Sequence, residues 1–210
     1  MSRKKIAIQG ELGAYSHIAA ENLYKDSEIK TCTTFEETFK QAYNDPNYKI
    51  VIPIENSLAG RVADIHYLLP KYKLQIHGEH FQAVEHNLLC KPDATISDIK
   101  FVRSHAQAIG QCQNLITKKK FKPIISADTA GSAKDLAEGK DKTIAAIASE
   151  LSAKIYNLKI LEKNIEDEKG NVTRFLIMGK NIEQPEFKKE KKFITSCIFR
   201  VKSEPSALYK

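Results

Sequence analysis

Three polar side chains precede an apolar run near residue 175, and their chemistry suits the binding and polarisation of a ligand. The stretch begins at Gly170 and continues Asn171-Val172-Thr173-Arg174-Phe175-Leu176-Ile177-Met178-Gly179. A threonine hydroxyl and an asparagine amide donate hydrogen bonds, and a guanidinium binds a carboxylate with two parallel bonds. The run from Phe175 to Met178 predicts a central strand covered on both faces. An ordinary strand threonine and a surface arginine would give the same pattern, so the rest of the chain must decide.

A second candidate lies at the first passage from strand to helix. Lys5 to Gln9 reads as a strand, Gly10 to Gly13 as a turn, and a helix follows Ala14-Tyr15-Ser16. The amino end of a helix offers unpaired N–H groups and partial positive charge, which suit an anion. Ser16 either caps this helix or donates its hydroxyl to a ligand. The glycines form neither G-x-G-x-x-G nor a P-loop, so no nucleotide is predicted.

A third candidate follows the short apolar strand that ends at Ile54. Glu55, Asn56 and Ser57 come directly after it, where α/β proteins place groups that contact ligands. Glu55 is therefore a candidate carboxylate of the site. The alternative is an acid stabilised by the dipole of a following helix, which the sequence predicts from Asp64 to Leu69.

The spacing of apolar residues predicts the elements that must position these groups. Beyond those above, helices are expected over 34–44, 106–116, 129–136 and 150–156, and strands over 74–77, 81–90, 101–105, 122–126 and 143–148. A strand, a hydroxyl-bearing turn and a helix recur in both halves, which favours two α/β lobes whose strands end at a common cleft. The first lobe is expected at about 1–78 plus 163–180, because the last strand should return to it, and the second at about 79–162.

Composition excludes several classes of protein. With 210 residues and 42% hydrophobic content, the chain has enough apolar surface for a sizeable core. The net charge of +7 comes from separated lysine clusters without interleaved aromatics, which indicates a solvated surface rather than nucleic-acid binding. No apolar run approaches 18 residues, so neither a signal peptide nor a membrane span is expected.

Cysteines and histidines suggest neither a redox pair nor a metal site. Cys32, Cys90, Cys112 and Cys197 are far apart, as expected for reduced thiols of a cytoplasmic protein. The three neighbouring histidines match no usual metal-ligand spacing and are expected on a polar surface; they are His77, His80 and His86.

Taken together, five ordered motifs within residues 5–180 resemble prephenate dehydratase. They are Gly10-Glu11-Leu12-Gly13-Ala14-Tyr15-Ser16, Pro53-Ile54-Glu55-Asn56-Ser57, Ser104-His105-Ala106-Gln107-Ala108, Asp128-Thr129-Ala130-Gly131-Ser132-Ala133 and Asn171-Val172-Thr173-Arg174-Phe175. The resemblance implies a two-lobed fold similar to type-2 periplasmic binding proteins, with parallel or mixed sheets and a ligand cleft between the lobes. It also implies conversion of prephenate to phenylpyruvate in L-phenylalanine biosynthesis, without a cofactor or metal. Leu12 and Ala106 stand where this family often has proline, which affects loop stiffness more than chemistry.

A regulatory ACT domain that binds phenylalanine normally follows such a catalytic domain. Here 181–192 resembles a linker, and 193–210 resembles the incomplete start of an ACT domain, so a truncated or cleaved form is expected. Ser206 replaces the usual glycine of the regulatory motif, and phenylalanine regulation is expected only in a form with a complete ACT domain. The resemblance further suggests a homo-oligomer, either a dimer or a tetramer.

The family resemblance assigns roles to individual residues. Thr173 is expected to donate a hydrogen bond to the leaving hydroxyl, with Glu55 as the proton source if burial raises its pKa. Arg174 is expected at the pyruvyl end of the substrate or as support for the strand. Substrate contacts are expected from the motif residues Ala14, Tyr15, Ser16, Asn56, Ser57, Ser104, His105, Gln107, Thr129, Ala130, Arg174 and Phe175. Arogenate dehydration and ligand binding without chemistry remain alternative functions.

Overall fold

A computed structural model describes residues 3–181, 188–190, 192, 202, 204 and 206. Its strands are β1 Lys5–Gln9, β2 Glu28–Cys32, β3 Tyr48–Asn56, β4 Gly60–Arg61, β5 Gln75–Ala83, β6 Asn87–Cys90, β7 Phe101–His105, β8 Lys122–Ser126, β9 Ile144–Ala148, β10 Lys159–Glu162 and β11 Val172–Gly179. Its helices are α1 Tyr15–Leu23, α2 Phe35–Asn44, α3 Ala63–Tyr72, α4 Ala106–Gly110, α5 Gln113–Lys119, α6 Thr129–Glu138 and α7 Glu150–Ile155. Most of the predicted linker and ACT segment, 181–210, lies outside the described residues. Within the described ranges, no helix is long and apolar enough to cross a membrane.

The strands form two sheets. The first has the order β2-β1-β3-β11-β5, with β4 paired to β3, and the second has the order β10-β6-β9-β7-β8. In the first sheet, β1 runs parallel to β2 and β3, whereas β11 runs antiparallel to both β3 and β5. In the second, β7 runs parallel to β8 and β9. The two mixed α/β sheets confirm the expected fold class.

Helices cover both faces of the first sheet, which explains its apolar strands. On β1, Ile6 and Ile8 belong to the core cluster that contains Ala19 of α1, whereas Ala7 belongs to the cluster that contains Phe39 of α2. All of these side chains have no exposed surface. A strand buried on both faces needs no alternation of polar and apolar residues.

β11 lies between the same two layers. Phe175 and Ile177 pack in the α1 layer, whereas Leu176 and Met178 pack in the α2 layer. This confirms the prediction of a strand covered on both faces. β5 pairs with β11 up to Ala83, so the first sheet continues a few residues beyond the crossing that was placed near residue 78.

The structure adds the unpredicted strands β2, β4 and β10, forms β5 and β6 from the strands expected over 74–77 and 81–90, and breaks one expected helix. β2 was not predicted, because an edge strand with a largely exposed Glu-Ile-Lys-Thr-Cys sequence lacks an apolar pattern. The helix expected over 106–116 is broken into α4 and α5 at Gln111 and Cys112. The carboxylate of Asp167 accepts hydrogen bonds from the backbone N–H groups of Gln113 and Asn114, at 2.8 and 3.0 Å, and so starts a new helix there.

The turn before α1, at Leu12 and Gly13, contacts α7, which packs against the second sheet. The carbonyl oxygen of Gly13 accepts from the hydroxyls of Ser149 and Ser152, and that of Leu12 accepts from the Tyr156 hydroxyl at 2.9 Å. Gly13 has a φ of +90°, and a Cβ there would lie 2.8 Å from the Cα of Ser152. Only glycine fits this contact without displacing one of the two segments.

Candidate active site

A pocket of about 490 Å³ lies between elements of the two sheets. Strand ends and helix starts of both sheets line it, as α/β folds commonly arrange their ligand sites. The structure brings together these predicted site residues in its lining: Ala14, Tyr15, Ser16, Asn56, His105, Gln107, Thr129, Thr173 and Phe175. The remaining predicted site residues do not line it: Glu55, Ser57, Ser104, Ala130 and Arg174.

Three of those remaining residues have structural positions instead. Ser104 is fully buried and donates to the carbonyl oxygen of Ile147 at 2.7 Å, and Ala130 has no exposed surface. The Ser57 hydroxyl accepts from the backbone N–H of Val172 at 2.9 Å and donates to the carbonyl oxygen of Gly170 at 3.1 Å. Ser57 therefore fastens the end of β3 to the start of β11.

Glu55 and Arg174 are paired with each other on the face of the first sheet opposite to Thr173. Arg174 forms ion pairs with Glu55 at 3.0 Å and with Glu79 at 2.7 Å. Both contacts raise the pKa of its guanidinium, and the hydrogen bond to Glu55 contributes most. Successive residues of a strand point to opposite faces, so Thr173 and Arg174 cannot both face the pocket. The prediction that Glu55 supplies the proton does not fit this position, since its carboxylate is half exposed and already bound.

Asn56 sets the direction of the hydrogen bonds around Thr173. Its Oδ1 atom accepts from the backbone N–H groups of Leu58 and Ala59, at 3.0 and 2.8 Å. An amide oxygen cannot donate, so this end of the side chain is fixed as the acceptor. The Nδ2 atom is consequently the donor, and it binds Oδ1 of Asn171 at 2.7 Å and Oγ1 of Thr173 at 2.9 Å.

The Thr173 hydroxyl is therefore left with a hydrogen to donate. Its oxygen accepts from Asn56, and no acceptor for its hydrogen occurs among the described residues. Thr173 is nearly buried, with 9% of its surface exposed, and it lines the pocket. A ligand in the pocket is thus the natural acceptor for this hydroxyl.

The same network continues into the second sheet. Asn171 donates from Nδ2 to Oε1 of Gln111 at 3.0 Å, and Nε2 of His86 lies 2.9 Å from the same oxygen. Since Oε1 can only accept, His86 carries its hydrogen on Nε2. The Tyr15 hydroxyl lies 3.0 Å from Nδ1 of His86 and 2.6 Å from the carbonyl oxygen of Glu85.

Burial keeps this network uncharged. Burial lowers the pKa of His86, and burial raises the pKa of Tyr15 well above its usual value. With 2% of its surface exposed, His86 is not on the polar surface where the sequence had placed it. A neutral imidazole and a neutral phenol therefore continue the row of amides.

Two helices begin at the pocket with different amino ends. At α6, the Asp128 carboxylate accepts from the backbone N–H of Gly131 at 2.6 Å, so this end already carries an anion. At α1 no side chain caps the helix, because the N-cap residue Ala14 has no polar side chain, and the Ser16 hydroxyl inside the first turn donates to the carbonyl oxygen of Gln9 at 3.0 Å. An anionic ligand is thus better matched to the start of α1 than to that of α6.

The sequence interpretation missed Gln111 and His86. Gln111 lies four residues after Gln107, and positions i and i+4 share one face of a helix, so the spacing contained a signal for it. His86 carried no comparable signal, because its partners come from segments 25 and 71 residues away.

Comparisons with known proteins show what this chain is similar to. The family model for prephenate dehydratase matches residues 6–183. A bifunctional N-acyl-homoserine lactone acylase/prephenate dehydratase of Komagataeibacter europaeus is 39% identical over 98% of this chain and 73% of its own length. The arogenate dehydratase/prephenate dehydratase 2 of Arabidopsis thaliana is 40% identical over all of this chain but 54% of its own length. A prephenate dehydratase from Arthrobacter aurescens, solved with L-Phe, has a TM-score of 0.80 at 25% identity, covering 88% of this chain and 62% of its own.

Proposed function

Because this chain belongs to the prephenate dehydratase family, we propose that it converts prephenate to phenylpyruvate, carbon dioxide and water in L-phenylalanine biosynthesis. As a carbon–oxygen lyase, it would break two exocyclic bonds of the substrate ring: the C–C bond to the ring carboxylate and the C–O bond to the hydroxyl. The electron pair of the breaking C–C bond enters the ring as carbon dioxide leaves, and the ring C–O bond breaks as hydroxide departs. The hydroxide takes up a proton to give water, and formation of the aromatic ring drives the reaction. No cofactor enters this balance.

The free hydrogen of Thr173 is the observation that carries the proposal. Asn56 donates to the Thr173 oxygen, so the hydroxyl hydrogen is available for the leaving group of the substrate. A donor that is aligned before the reaction stabilises the charge that develops on the departing oxygen. Thr173 is thus the hydrogen-bond donor of the proposal, and it needs no change of protonation state.

In this proposal His105, rather than Glu55, is a second hydrogen-bond donor to the departing hydroxide, and the proton that completes water comes from solvent. His105 lines the pocket, and its Nδ1 atom accepts from the backbone N–H of Gln107 at 3.3 Å. The hydrogen of the neutral ring is then on Nε2. A folded His105→Leu variant that retains the wild-type rate would remove this assignment.

The distribution of charge suits a substrate that must lose one of its two carboxylates. The uncapped start of α1 can bind the pyruvyl carboxylate, which stays. Arg174 is bound to Glu55 and Glu79 away from the pocket, so it does not hold the ring carboxylate in place. Binding that favours the departing carboxylate in the ground state would slow its loss.

Turnover of purified substrates tests the proposal. Phenylpyruvate formed from prephenate is followed by its absorbance, and the same protein is given arogenate, because relatives named for both activities match this chain. Faster formation of phenylalanine from arogenate would favour the arogenate alternative. Tight binding of prephenate without formation of any product would indicate a binding module rather than an enzyme.

The proposal extends to the partners and the location of the protein. Binding of L-phenylalanine is proposed for a form with a complete ACT domain, since a related prephenate dehydratase was solved in complex with L-Phe. A homo-oligomer, dimer or tetramer, is part of the proposal and is tested by light scattering. A cytoplasmic location is supported by Cys32, Cys90 and Cys112, which are buried free thiols.

A further inference from the structure

Gln111 is the point at which the hydrogen-bond network passes from one sheet to the other. It lies between α4 and α5, which flank the second sheet, whereas Asn171 and Thr173 are at the start of β11 in the first. Its Oε1 atom accepts from Nδ2 of Asn171 at 3.0 Å and faces Nε2 of His86 at 2.9 Å. One oxygen therefore connects both sheets to the hydroxyl proposed to act on the substrate.

The backbone around Gln111 is fixed from both sides. Its N–H donates to the carbonyl oxygen of Gln107 at 2.9 Å, and its carbonyl oxygen accepts from the N–H of Asp167 at 2.7 Å. The Asp167 carboxylate in turn caps α5 through Gln113 and Asn114. Because the main chain cannot shift easily, the position of Oε1 is well determined.

We propose that Gln111 is a positioning residue that keeps the Thr173 hydroxyl directed at the ligand, acting through Asn171 and Asn56. Without an acceptor at Oε1, the Asn171 amide loses the contact that holds its Nδ2 away from Asn56. If Asn171 turns over, its Nδ2 confronts Nδ2 of Asn56, and two donors repel each other. Asn56 then no longer donates reliably to Thr173, whose hydrogen can turn inward. The inference rests on the proposed function, since the hydroxyl is assumed to act in that reaction.

A simpler role for Gln111 makes a different prediction. Gln111 lines the pocket, and within the part of the chain that the structure describes its side-chain hydrogen bonds are made by Oε1, not by Nε2. A glutamine that only donates from Nε2 to the substrate would affect binding through its nitrogen. A positioning residue acts through its oxygen, and the two roles can be separated by substitution.

The experiment compares Gln111→Leu with Gln111→Glu. Leucine removes both polar atoms, and kcat should fall about 10²-fold because the donor is misplaced. Glutamate keeps acceptor oxygens for Asn171 and His86, so kcat should stay within about fivefold, while KM for the anionic substrate rises. Equal losses of kcat in both variants would overturn the positioning role. Gln113→Ala is the matched control, because among the described residues its side chain bonds to the carbonyl oxygen of Ile109 and not to the network.

A second measurement does not depend on turnover. Both Nδ2 hydrogens of Asn56 are bound in the structure, so their exchange with solvent in NMR spectra should be slow. The Leu variant should exchange them at least about tenfold faster, as expected for a lost bond of about 1.4 kcal/mol, and the Glu variant should not. Unchanged exchange in the Leu variant would contradict the coupling even if the wild type lacks dehydratase activity. If the Leu variant does not fold, the kcat of the Glu variant decides alone: retention supports the proposal, and a hundredfold loss overturns it.

Discussion

The two faces of β11 at Thr173 and Arg174 are built from opposite kinds of chemistry. On the pocket face, Thr173 belongs to a row of amides, an imidazole and a phenol that are buried or half-buried and uncharged. On the other face, Arg174 lies between the carboxylates of Glu55 and Glu79, partly open to solvent. Thr173 and Arg174 are consecutive in the chain, yet the first contacts oriented dipoles and the second forms ion pairs.

This difference shows how neighbouring residues can serve separate purposes. Buried dipoles with a fixed direction present a hydrogen-bond donor without adding a charge that would retain a departing carboxylate. Ion pairs that are partly exposed contribute modestly to stability. We therefore expect substitutions on the pocket face to change the rate, and substitutions on the ionic face to change the stability.

The largest change in kcat should follow removal of the Thr173 hydroxyl. Thr173→Ala removes the donor, and kcat should fall about 10²- to 10³-fold, as for other preorganised donors. Thr173→Ser keeps the hydroxyl and is the matched control, which should retain most of the rate. Steady-state assays measure both, and circular dichroism checks folding. Full activity of a folded Ala variant would remove the central assignment.

Asn56→Asp tests whether the direction of the network matters. The carboxylate still accepts from Leu58 and Ala59, but it faces the Asn171 oxygen and accepts from Thr173 instead of donating to it. The hydrogen of Thr173 then turns inward, so kcat should fall about 10²-fold, with a stability loss of about 1–3 kcal/mol from the unsatisfied oxygen. Kinetics and urea titration measure these effects. A wild-type kcat in this variant would show that the direction is unimportant.

On the ionic face, Glu55→Gln should leave the rate almost unchanged. The substitution weakens a partly exposed pair with Arg174, which typically contributes about 0.2–1 kcal/mol. A kcat within about twofold of the wild type is expected, because Glu55 does not line the pocket. Urea titration and steady-state assays separate the two effects. A large loss of kcat or a changed pH profile would restore Glu55 as a proton source and contradict the division between the faces.

The smallest expected effect is a loss of folding stability at mildly acidic pH. Burial lowers the pKa values of His86, in the pocket network, and of His17, in the α1 turn. Each unfolded histidine titrates at about 6.5, so below that pH the unfolded chain binds more protons than the folded one, and stability falls. The melting temperature should thus decrease between about pH 6.5 and 5. His17→Asn should flatten part of this dependence, whereas a melting temperature that rises on acidification would contradict the assignment.

Sequence reasoning predicts most of the fold because long apolar runs and strand ends are local signals. It placed Thr173, Asn56 and His105 in one site through ordered motifs. It also assigned Arg174 and Glu55 to the site, although strand alternation places Arg174 on the face opposite to Thr173.

Other features depend on contacts between distant segments. Asp167 breaks the helix expected after residue 105 and so fixes the place of Gln111, although more than 50 residues separate it from that helix. No local pattern contains such a contact. The network was therefore accessible only from the fold.

The contact at Leu12 and Gly13 has a consequence for how this turn can vary during evolution. Both residues contribute only main-chain atoms to the meeting with α7, through carbonyl oxygens that accept from Ser149, Ser152 and Tyr156. Side chains at position 12 can consequently change without loss of these hydrogen bonds. Position 13 has no such freedom, because any side chain would overlap Ser152. Adjacent positions in one turn thus differ sharply in the side chains that they tolerate.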